Sequence, residues 1–372
     1  MNLVVVSLEA WDDVWRRNQH LVSRLLHTDP ALRVLFVEPA ADPLHDVVSR
    51  RLPRRGQRLT EESGFDGRLL RFRPVKLLPR SIDARADERL ARSVLEATRR
   101  AGFSEAVLWL NDPSAAPLAR LTGWPTLYDV TDDWVAADRP SAEIDRIRAD
   151  ENWLLRHARE VVVCSPELMR RKSGARRGAI HLIPNAVDVA AYRAKKPRPR
   201  DLPAAAAVYV GTLHTDRLDL DLCVRTAAAL SLRASLVLVG PNALTSAATT
   251  RLSAAGVVLL GPRPHEDVIA YLQHADALVV PHVVSPFTDS LDPIKLYEYA
   301  AVGRPVVSTP VAGFRDADDP RVRVVAASGF PAAVAELVPA ATSFPDGTDV
   351  AVAGWDDRAA AMRGVLTRVH AS

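Results

Sequence analysis

A lysine and a glutamate, three residues apart, lie in the segment whose residue types most clearly suggest a chemical function. Lys295 and Glu298 follow Pro293, which suits the first turn of a helix, so both side chains fall on one helix face. The amides at Ser290 and Leu291 precede this helix, whose dipole would favour an anion such as a diphosphate. Glu298 could then accept two hydrogen bonds from a ribose diol. The alternative is a surface ion pair between the lysine and the glutamate.

Other nucleotide, metal and hydrolase motifs do not occur in the sequence. It contains no GxGxxG, GxxxxGK[ST] or GxSxG pattern. The two cysteines, Cys164 and Cys223, lack the spacing of a zinc site or a disulfide framework. Asp219 and Asp221 form a DxD pair, but acids are expected at the start of the helix that follows them. We therefore expect no metal and no cofactor, and any phosphate must be held by other groups.

Four segments of the chain resemble one family. Residues 295–307, KLYEYAAVGRPVV, closely resemble the donor-site signature of GT-B glycosyltransferases, in particular glycosyltransferase family 4 (group 1). Residues 183–188 resemble the join that leads into that family's second domain, residues 209–213 its glycine loop and residues 275–281 its fourth strand. The resemblance implies two Rossmann-like, doubly wound domains facing a cleft. It also implies that the last helix crosses back to the N-terminal domain.

The resemblance implies functions for residues of the second domain. Arg217 and Lys295 would be the catalytic cations that stabilise charge on the leaving diphosphate. The donor-binding residues would be Gly211, Thr212, Arg263, His265, Ser290, Leu291 and Glu298, with the loop 261–265 beside the base. The nucleotide-sugar is a substrate in this scheme. Ser290 stands where the family commonly has an acid, which leaves the donor sugar and the stereochemistry open.

Two polar and aromatic segments of the first half, 9–20 and 128–134, resemble a narrower group of bacterial polysaccharide enzymes, including those of teichuronic acid synthesis. Each follows a predicted strand, so we expect both at the carboxyl edge of a sheet, where open α/β folds bind ligands. The expected acceptor-binding residues are Glu9, Trp11, Arg16 and Trp134. Family 4 resemblance implies retention of configuration, whereas Asp132 or Asp133 would be the base of an inverting enzyme. Core tryptophans with acids at helix starts are the alternative interpretation.

The elements that must position these residues follow from the apolar pattern. Short apolar runs alternate with longer amphipathic stretches, which is typical of βαβ units and predicts an α/β fold. Strands are predicted at 3–8, 33–38, 69–73, 106–110, 126–129, 161–164, 180–183, 207–210, 236–239, 257–260, 277–280, 306–308 and 322–325. The predicted domains are an acceptor-side domain at 1–188 joined by the C-terminal helix at 349–372, a proline-rich linker at 189–203, and a donor domain at 204–348.

Composition narrows the class of protein. Of the 372 residues, 48% are hydrophobic and 25% are charged, which is typical of a globular protein. The net charge is only +3, whereas a nucleic-acid-binding protein should carry a concentrated basic surplus, so this class is not supported. The segment 50–80 is strongly basic, with ten basic against three acidic residues. It predicts a solvated loop, peripheral contact with an anionic membrane, or attraction to a phosphorylated acceptor. The N-terminal residues favour a core strand over a signal peptide, and no run of 18 apolar residues occurs. We therefore expect a cytoplasmic protein, peripheral at the inner face of the membrane if that contact exists.

Together these observations predict a hexosyltransferase-type enzyme of bacterial polysaccharide biosynthesis. It would move a sugar from a nucleotide-sugar to a hydroxyl of a glycan, a lipid-linked acceptor or a small molecule, without a metal. Two alternatives stay open. A non-catalytic, donor-binding relative would act as an assembly partner, because Ser290 replaces one acid of the usual pair. A nucleotide-sugar epimerase of the same architecture is the other.

Overall fold

The computed structural model describes residues 1–12, 15–44, 56–76, 78, 80, 82–137, 139–338 and 351–371. The chain divides into two compact units, each with its own sheet and hydrophobic core. The first unit comprises Met1–Pro184 and Asp356–Ser372, and the second comprises Asn185–Trp355.

The first unit is built on a sheet whose central strands are the apolar runs of the sequence. Its strands are β1 (Asn2–Val6), β2 (Arg33–Val37), β3 (Gln57–Glu61), β4 (Leu69–Arg73), β5 (Val107–Leu110), β6 (Thr126–Val130), β7 (Glu160–Val163) and β8 (Ile180–Leu182). Within the described residues they form one sheet in the order β3-β4-β2-β1-β5-β6-β7-β8. All pairings are parallel except that of β3 with β4. Val4, Leu35 and Leu108 are fully buried, as expected of strands covered on both faces.

Helices connect these parallel strands. They are α1 (Arg17–Thr28), α2 (Ala86–Arg100), α3 (Ala116–Thr122), α4 (Ser141–His157) and α5 (Pro166–Lys172). Ser165 is the N-cap of α5, where its hydroxyl accepts from the Leu168 amide at 3.1 Å. The α3 helix ends at Gly123, whose φ of 63° lies in the left-handed region that glycine adopts without strain.

The second unit has an entirely parallel sheet among its described residues. Its strands are β9 (Ala206–Val210), β10 (Ser235–Val239), β11 (Val258–Gly261), β12 (Ala277–Val280), β13 (Val306–Ser308) and β14 (Val322–Val324), in the order β11-β10-β9-β12-β13-β14. Its helices are α6 (Val189–Arg193), α7 (Leu220–Leu230), α8 (Ser246–Ala254), α9 (His265–Gln273), α10 (Ile294–Val302) and α11 (Phe330–Leu337). The α/β prediction is therefore confirmed for both units. Since β9 lies at the centre of the order, loops that follow β9, β10 and β12 meet at one sheet edge.

The segment 189–203, predicted as a solvated linker, packs on the second unit instead. Tyr192 and Leu202 are buried there, with 2% and 5% of their surface exposed. The Gln273 side chain donates to the carbonyls of Tyr192 and Ala194 at 2.9 and 2.8 Å. The boundary therefore lies at Asn185, because these long-range contacts tie the proline-rich stretch to α9.

The last helix of the chain, α12 (Trp355–Ala371), belongs mostly to the first unit. Its Met362 and Val369 are fully buried. Arg368 pairs with Glu160 of β7 at 3.1 Å and Asp356 pairs with Arg24 of α1 at 2.6 Å. None of the helices in the described ranges combines the length and the apolar character needed to span a bilayer.

Candidate functional site

A glycine turn at the carboxyl end of β9 forms the floor of the candidate donor site. Gly211 has a φ of +149°, and a Cβ atom there would lie 2.7 Å from Lys295 Nζ. Glycine is required both for this backbone conformation and for the space that the lysine occupies. Gly240, after β10, has a φ of +141°, and a Cβ there would meet the Gly211 carbonyl oxygen at 2.3 Å. Thr212 is half-buried and forms no hydrogen bond with a described residue.

Lys295 lies in the first turn of α10, directly over this glycine. Its Nζ is 5.2 Å from the centre of the Tyr209 ring, a cation–π contact. Lys295 forms no ion pair with a described carboxylate, and Glu298 accepts from the Tyr192 hydroxyl at 2.5 Å instead. Burial lowers the pKa of Lys295 to about 8, with an opposing effect from Glu298 and a further lowering by the charge of Arg217. The ammonium is thus a positive group fixed in place, with no anion of the described chain paired to it.

Arg217 lies at the end of the glycine loop, beside the segment that leads into α10. Leu218 pairs with His282 in an isolated antiparallel bridge, which fixes the backbone of the arginine at this place. The guanidinium carbon of Arg217 is 5.5 Å from the centre of the Phe287 ring. Arg217 and Lys295, both predicted as catalytic cations, are close enough for the charge of one to lower the pKa of the other.

A histidine to which the sequence motifs assigned no function lies in the same cluster. His282 is buried, and its Nε2 is 3.1 Å from the Tyr209 hydroxyl. Burial lowers the pKa of His282 well below its usual range, and the charges of Lys295 and Arg217 act in the same direction. The imidazole is therefore neutral and holds Tyr209 against the lysine ammonium. The signal in the sequence was its place two residues after β12, at the carboxyl edge of the sheet.

The loop before α10 differs from the expectation. Ser290 is buried, and its amide and hydroxyl both donate to the Phe287 carbonyl, at 3.2 and 2.8 Å. The turn itself therefore satisfies the Ser290 amide, and the expected contact of this amide with an anion stays a prediction. Leu291 follows in an extended conformation, with φ −71° and ψ 154°. Asp289, adjacent to Ser290, is ion-paired with Arg315.

Asp292 anchors the start of α10. Its carboxylate accepts from the Asn185 amide at 2.5 Å and from the Tyr297 hydroxyl at 2.8 Å. Its carbonyl accepts from the Asn185 side chain at 2.6 Å. Asn185 lies in the 183–188 segment, so this join fixes the position of the helix that carries Lys295. The sequence singled out the segment 183–188 but did not predict the contact between Asn185 and Asp292.

Glu298 and His265 both contact Tyr192. Tyr192 donates to Glu298 Oε1 at 2.5 Å, and its ring centre is 6.0 Å from that of His265, the first residue of α9. The second carboxylate oxygen of Glu298 has no hydrogen-bond partner among the described residues. It is therefore able to accept from a ligand hydroxyl, as the sequence predicts for a ribose.

Arg263 lies in the loop before α9 and is partly exposed. Its guanidinium donates to the Asp201 carboxylate at 2.7 Å and to the Tyr271 hydroxyl at 3.0 Å. The arginine thus ties the proline-rich stretch to α9, and its expected contact with the donor stays a prediction. No local pattern indicates this pairing, since Asp201 lies 62 residues away.

The DxD pair takes part in local structure. Asp219 caps α7, where its carboxylate accepts from the Leu222 amide at 2.8 Å. Asp221 is ion-paired with Arg251 at 2.5 Å. In the described part of the chain, no group of three or more histidine, cysteine, aspartate or glutamate side chains is arranged to hold a metal ion.

In the first unit, the segment after β1 is mostly structural. Trp11, expected to bind the acceptor, is 7% exposed, and its ring packs edge-on against Phe36 and Phe65 at 5.1 and 6.0 Å. Its burial agrees with the alternative interpretation of a core tryptophan, and its expected acceptor contact stays a prediction. Glu9 and Arg16 lie 3.6 Å apart as an ion pair of partly exposed side chains. Their expected contact with the acceptor stays a prediction.

The two aspartates that follow β6, Asp132 and Asp133, lie in different environments. Asp133 is buried and binds Lys172 at 2.7 Å and Arg171 at 2.8 Å. Burial alone would raise the pKa of Asp133, but hydrogen bonds from these two cations lower it, which disfavours a general base at this position. Asp132 is half-buried and accepts from the Thr131 hydroxyl at 3.1 Å. The partly buried Trp134 has the Arg139 guanidinium 5.2 Å from its ring centre.

The basic segment 50–80 lies partly outside the described residues, including Arg50, Arg51, Arg54 and Arg55. In its described part most cations pair with carboxylates of the same unit: Arg71 with Glu62, Arg73 with Glu38, Lys76 with Asp42 and Arg80 with Asp87. The local surplus of positive charge is thus largely neutralised there.

A cavity of about 230 Å³ opens at the carboxyl ends of β1, β2, β4 and β5 in the first unit. Val6, Val37 and Leu118 are among the apolar residues that line it. None of the expected acceptor residues Glu9, Trp11, Arg16 and Trp134 is part of its lining within the described chain. The position agrees with the sheet edge predicted for a ligand, but the lining residues differ from those predicted.

Known proteins resemble both units. Residues 204–341 match the family model of Glycosyl transferases group 1. TuaH of Bacillus subtilis (strain 168), a protein provisionally named a teichuronic acid biosynthesis glycosyltransferase, is 27% identical over 218 residues, which are 54% of this chain and 55% of TuaH. The chain therefore matches about half the length of this curated relative.

Solved structures match over the whole chain. Sucrose-phosphate synthase from Thermosynechococcus elongatus has a TM-score of 0.71 at 18% identity, covering 100% of this chain and 99% of its own. Anabaena HepE, solved in complex with UDP and glucose, has a TM-score of 0.60 at 14% identity, covering 100% and 97%. At such identities the likeness concerns the fold, which is of the GT-B glycosyltransferase type. The match to the Glycosyl transferases group 1 model lies within the second unit of this chain.

Proposed function

We propose that this chain transfers a sugar from a nucleotide-sugar donor to a hydroxyl of an acceptor, as a hexosyltransferase of the glycosyltransferase family 4 type. One observation carries the proposal. The Lys295 ammonium lies over the glycine turn of a group 1 domain, next to Arg217, and forms no ion pair with a described carboxylate. A diphosphate supplies the anion that such a site needs.

In the proposed reaction the bond from the sugar C1 to the diphosphate oxygen breaks, and the acceptor oxygen forms the new bond to C1. The hydroxyl proton of the acceptor leaves, and negative charge accumulates on the released nucleoside diphosphate. Lys295 and Arg217 would stabilise that charge, so that no metal bound by the protein is needed. Glu298, with one carboxylate oxygen available, would bind the ribose, and His265 would border the base.

The stereochemistry we propose is retention. A retaining transfer can pass the acceptor proton to the leaving diphosphate and needs no strong base, and Asp133, engaged by two cations, would be a poor one. If transfer instead inverts configuration, Asp132 is the residue of this segment that would act as the base.

The proposal includes several classes of acceptor. TuaH is named for teichuronic acid biosynthesis, which supports a function in bacterial polysaccharide synthesis, with a glycan, a lipid-linked intermediate or a small molecule as the acceptor. We propose a cytoplasmic enzyme. Peripheral membrane contact through 50–80 would depend on the four arginines outside the described residues, since most of the other cations there are paired.

A panel of nucleotide-sugars tests the proposal. Release of nucleoside diphosphate together with a glycosylated product, or with free sugar when no acceptor is present, supports a transferase. Binding without turnover supports the donor-binding relative, which one observation favours: Ser290 replaces the usual acid, and Asp289 is held by Arg315. Inversion of the sugar while it stays on the nucleotide would show an epimerase.

A further inference from the structure

We infer that the donor sugar is a 6-deoxyhexose, whose methyl group contacts the exposed side chains of Val283, Val284 and Pro286. The inference rests on the proposed function, since it names the substrate class of the same site. It concerns the segment 282–292, which leads from the carboxyl end of β12 to the start of α10.

The order of the candidate donor groups along α10 indicates where the sugar lies. Glu298, proposed for the ribose, is about one helical turn after Lys295, proposed for the diphosphate. A nucleotide-sugar has its ribose, diphosphate and sugar in a row, so the sugar continues past the start of α10 toward the segment 282–292. The Val283 amide donates to the Arg217 carbonyl at 2.8 Å, which places this valine next to the second proposed diphosphate cation.

The side chains that the segment 282–292 exposes are apolar. Val283 and Val284 are 37% and 52% exposed, and Pro286 is exposed as well. The other residues of the segment are buried or half-buried. Adjacent apolar side chains at the edge of a ligand site favour contact with a carbon of the ligand. The C6 atom projects from a hexose ring, so a 6-deoxyhexose presents a methyl group to such a surface.

The polar side chains of the same segment bind to the protein itself. The Thr288 hydroxyl donates to the Val283 carbonyl at 2.8 Å, and the Ser285 hydroxyl accepts from the Thr288 amide at 3.2 Å. The others have the partners already described: His282 with Tyr209, Asp289 with Arg315, Ser290 with the Phe287 carbonyl, and Asp292 with Asn185 and Tyr297. A sugar hydroxyl against the two valines would therefore lose its water without gaining a partner there. A methyl group has no such cost and gains from the burial of apolar surface.

Calorimetry on the full chain with pairs of nucleotide-sugars that differ in one oxygen atom tests the inference. The pairs are UDP-glucose with UDP-6-deoxyglucose, dTDP-glucose with dTDP-6-deoxyglucose, and GDP-mannose with GDP-D-rhamnose, so that three bases are covered. In the pair whose base the protein binds, we expect the 6-deoxy compound to bind about tenfold more tightly, because the other compound places a hydroxyl against the valines.

A double variant links this preference to the two valines. Val283→Thr/Val284→Thr keeps the β-branched shape of both side chains and adds a hydroxyl to each. We expect it to reduce the preference for the 6-deoxy compound to less than about twofold. The matched control is Val75→Thr, because Val75 is also 37% exposed but belongs to the first unit. It should keep the full preference.

Three results would overturn the inference: no preference for the 6-deoxy compounds, a double variant that keeps the preference, or an equal loss in Val75→Thr. If the double variant keeps the donor preference but transfers sugar to an acceptor more slowly, the valines contact the acceptor and the inference is wrong. Nucleoside diphosphate binding to the same proteins separates this test from the proposed function. Intact nucleoside diphosphate binding without a 6-deoxy preference removes only the inference. A protein that binds neither nucleoside diphosphates nor nucleotide-sugars removes the proposed function on which the inference rests.

Discussion

At the scale of single residues, the candidate donor site depends on an ammonium whose surroundings bring it close to losing its proton. Burial lowers the pKa of Lys295 to about 8, and the nearby Arg217 acts in the same direction. The nearby His282 is neutral, so it does not offset the effects of burial and Arg217 on the pKa of Lys295. A bound diphosphate would reverse this effect, because its charge favours the protonated lysine. The charge of Lys295 is thus expected to depend on the ligand.

The affinity for a nucleoside diphosphate should therefore decrease as the pH rises through about 8. Only the protonated lysine attracts the anion, so the expected loss is up to about tenfold per pH unit above that pKa. Calorimetry from about pH 6.5 to 9.5 measures it, with the deprotonation of the ligand taken into account. Lys295→Met should bind about 10–100-fold more weakly at neutral pH and show a flat profile. A wild-type affinity that does not change across this range contradicts the assignment.

Spacing on one helix face pointed to Lys295 and Glu298, and the family resemblance implied Arg217, because a helix face and a glycine loop are local features. Local patterns do not show which distant residue a side chain will contact. Trp11 is buried by Phe36 and Phe65, and Arg263 is held by Asp201, contacts that no local pattern contains.

At the scale of elements, the site depends on how closely the ends of neighbouring strands approach. The turn after β9 packs against Gly240, and the start of α10 is fixed by the contact of Asp292 with Asn185. Lys295 projects over Gly211 because both constraints hold at once. The glycine is therefore the position at which the arrangement can be tested with the smallest change.

Gly211→Ala should weaken both nucleotide binding and folding. The new Cβ would lie 2.7 Å from Lys295 Nζ on a backbone with a φ of +149°, so we expect a loss of about 1–3 kcal/mol in the free energy of unfolding. Nucleoside diphosphate affinity should fall at least about tenfold as the ammonium is displaced. Gly174→Ala is the control, since its Cβ would meet nothing within 4 Å, and its stability should stay within about 1 kcal/mol of wild type. Equal behaviour of the two variants in denaturant titration and calorimetry would refute this account of the turn.

Most strands were predicted because Val, Leu and Ala runs buried on both faces are distinctive. The exception was β3, since Gln57–Glu61 is a polar edge strand paired only with β4. The stretch 189–203 was misinterpreted for a related reason. Its prolines lie after the α6 helix and do not exclude burial, and Tyr192 and Leu202 pack into the second unit.

At the scale of the whole molecule, the chain returns to its first unit at the end. The α12 helix buries Met362 and Val365 against that unit and pairs Arg368 with Glu160. The first unit is therefore composed of residues from both ends of the sequence. Its stability should depend on the last seventeen residues as much as on its central strands.

Met362→Ala should destabilise the first unit by about 2–5 kcal/mol, because the methionine is fully buried and its removal leaves a cavity. Its neighbour Arg363 is exposed, so Arg363→Ala serves as the control and should change stability by less than about 0.5 kcal/mol. Thermal or denaturant unfolding followed by tryptophan fluorescence reports the difference. Equal stability of the two variants would show that α12 does not pack as described.

The most direct test of the central claim is the detection, by mass spectrometry, of sugar transferred from a nucleotide-sugar to a hydroxyl acceptor by wild type and by Lys295→Met. Both proteins are first shown to unfold at the same temperature. The proposed function predicts a glycosylated product and released nucleoside diphosphate with wild type, and a rate lower by at least about a hundredfold with the variant. Transfer at an undiminished rate by Lys295→Met would contradict the claim that this ammonium stabilises the leaving diphosphate.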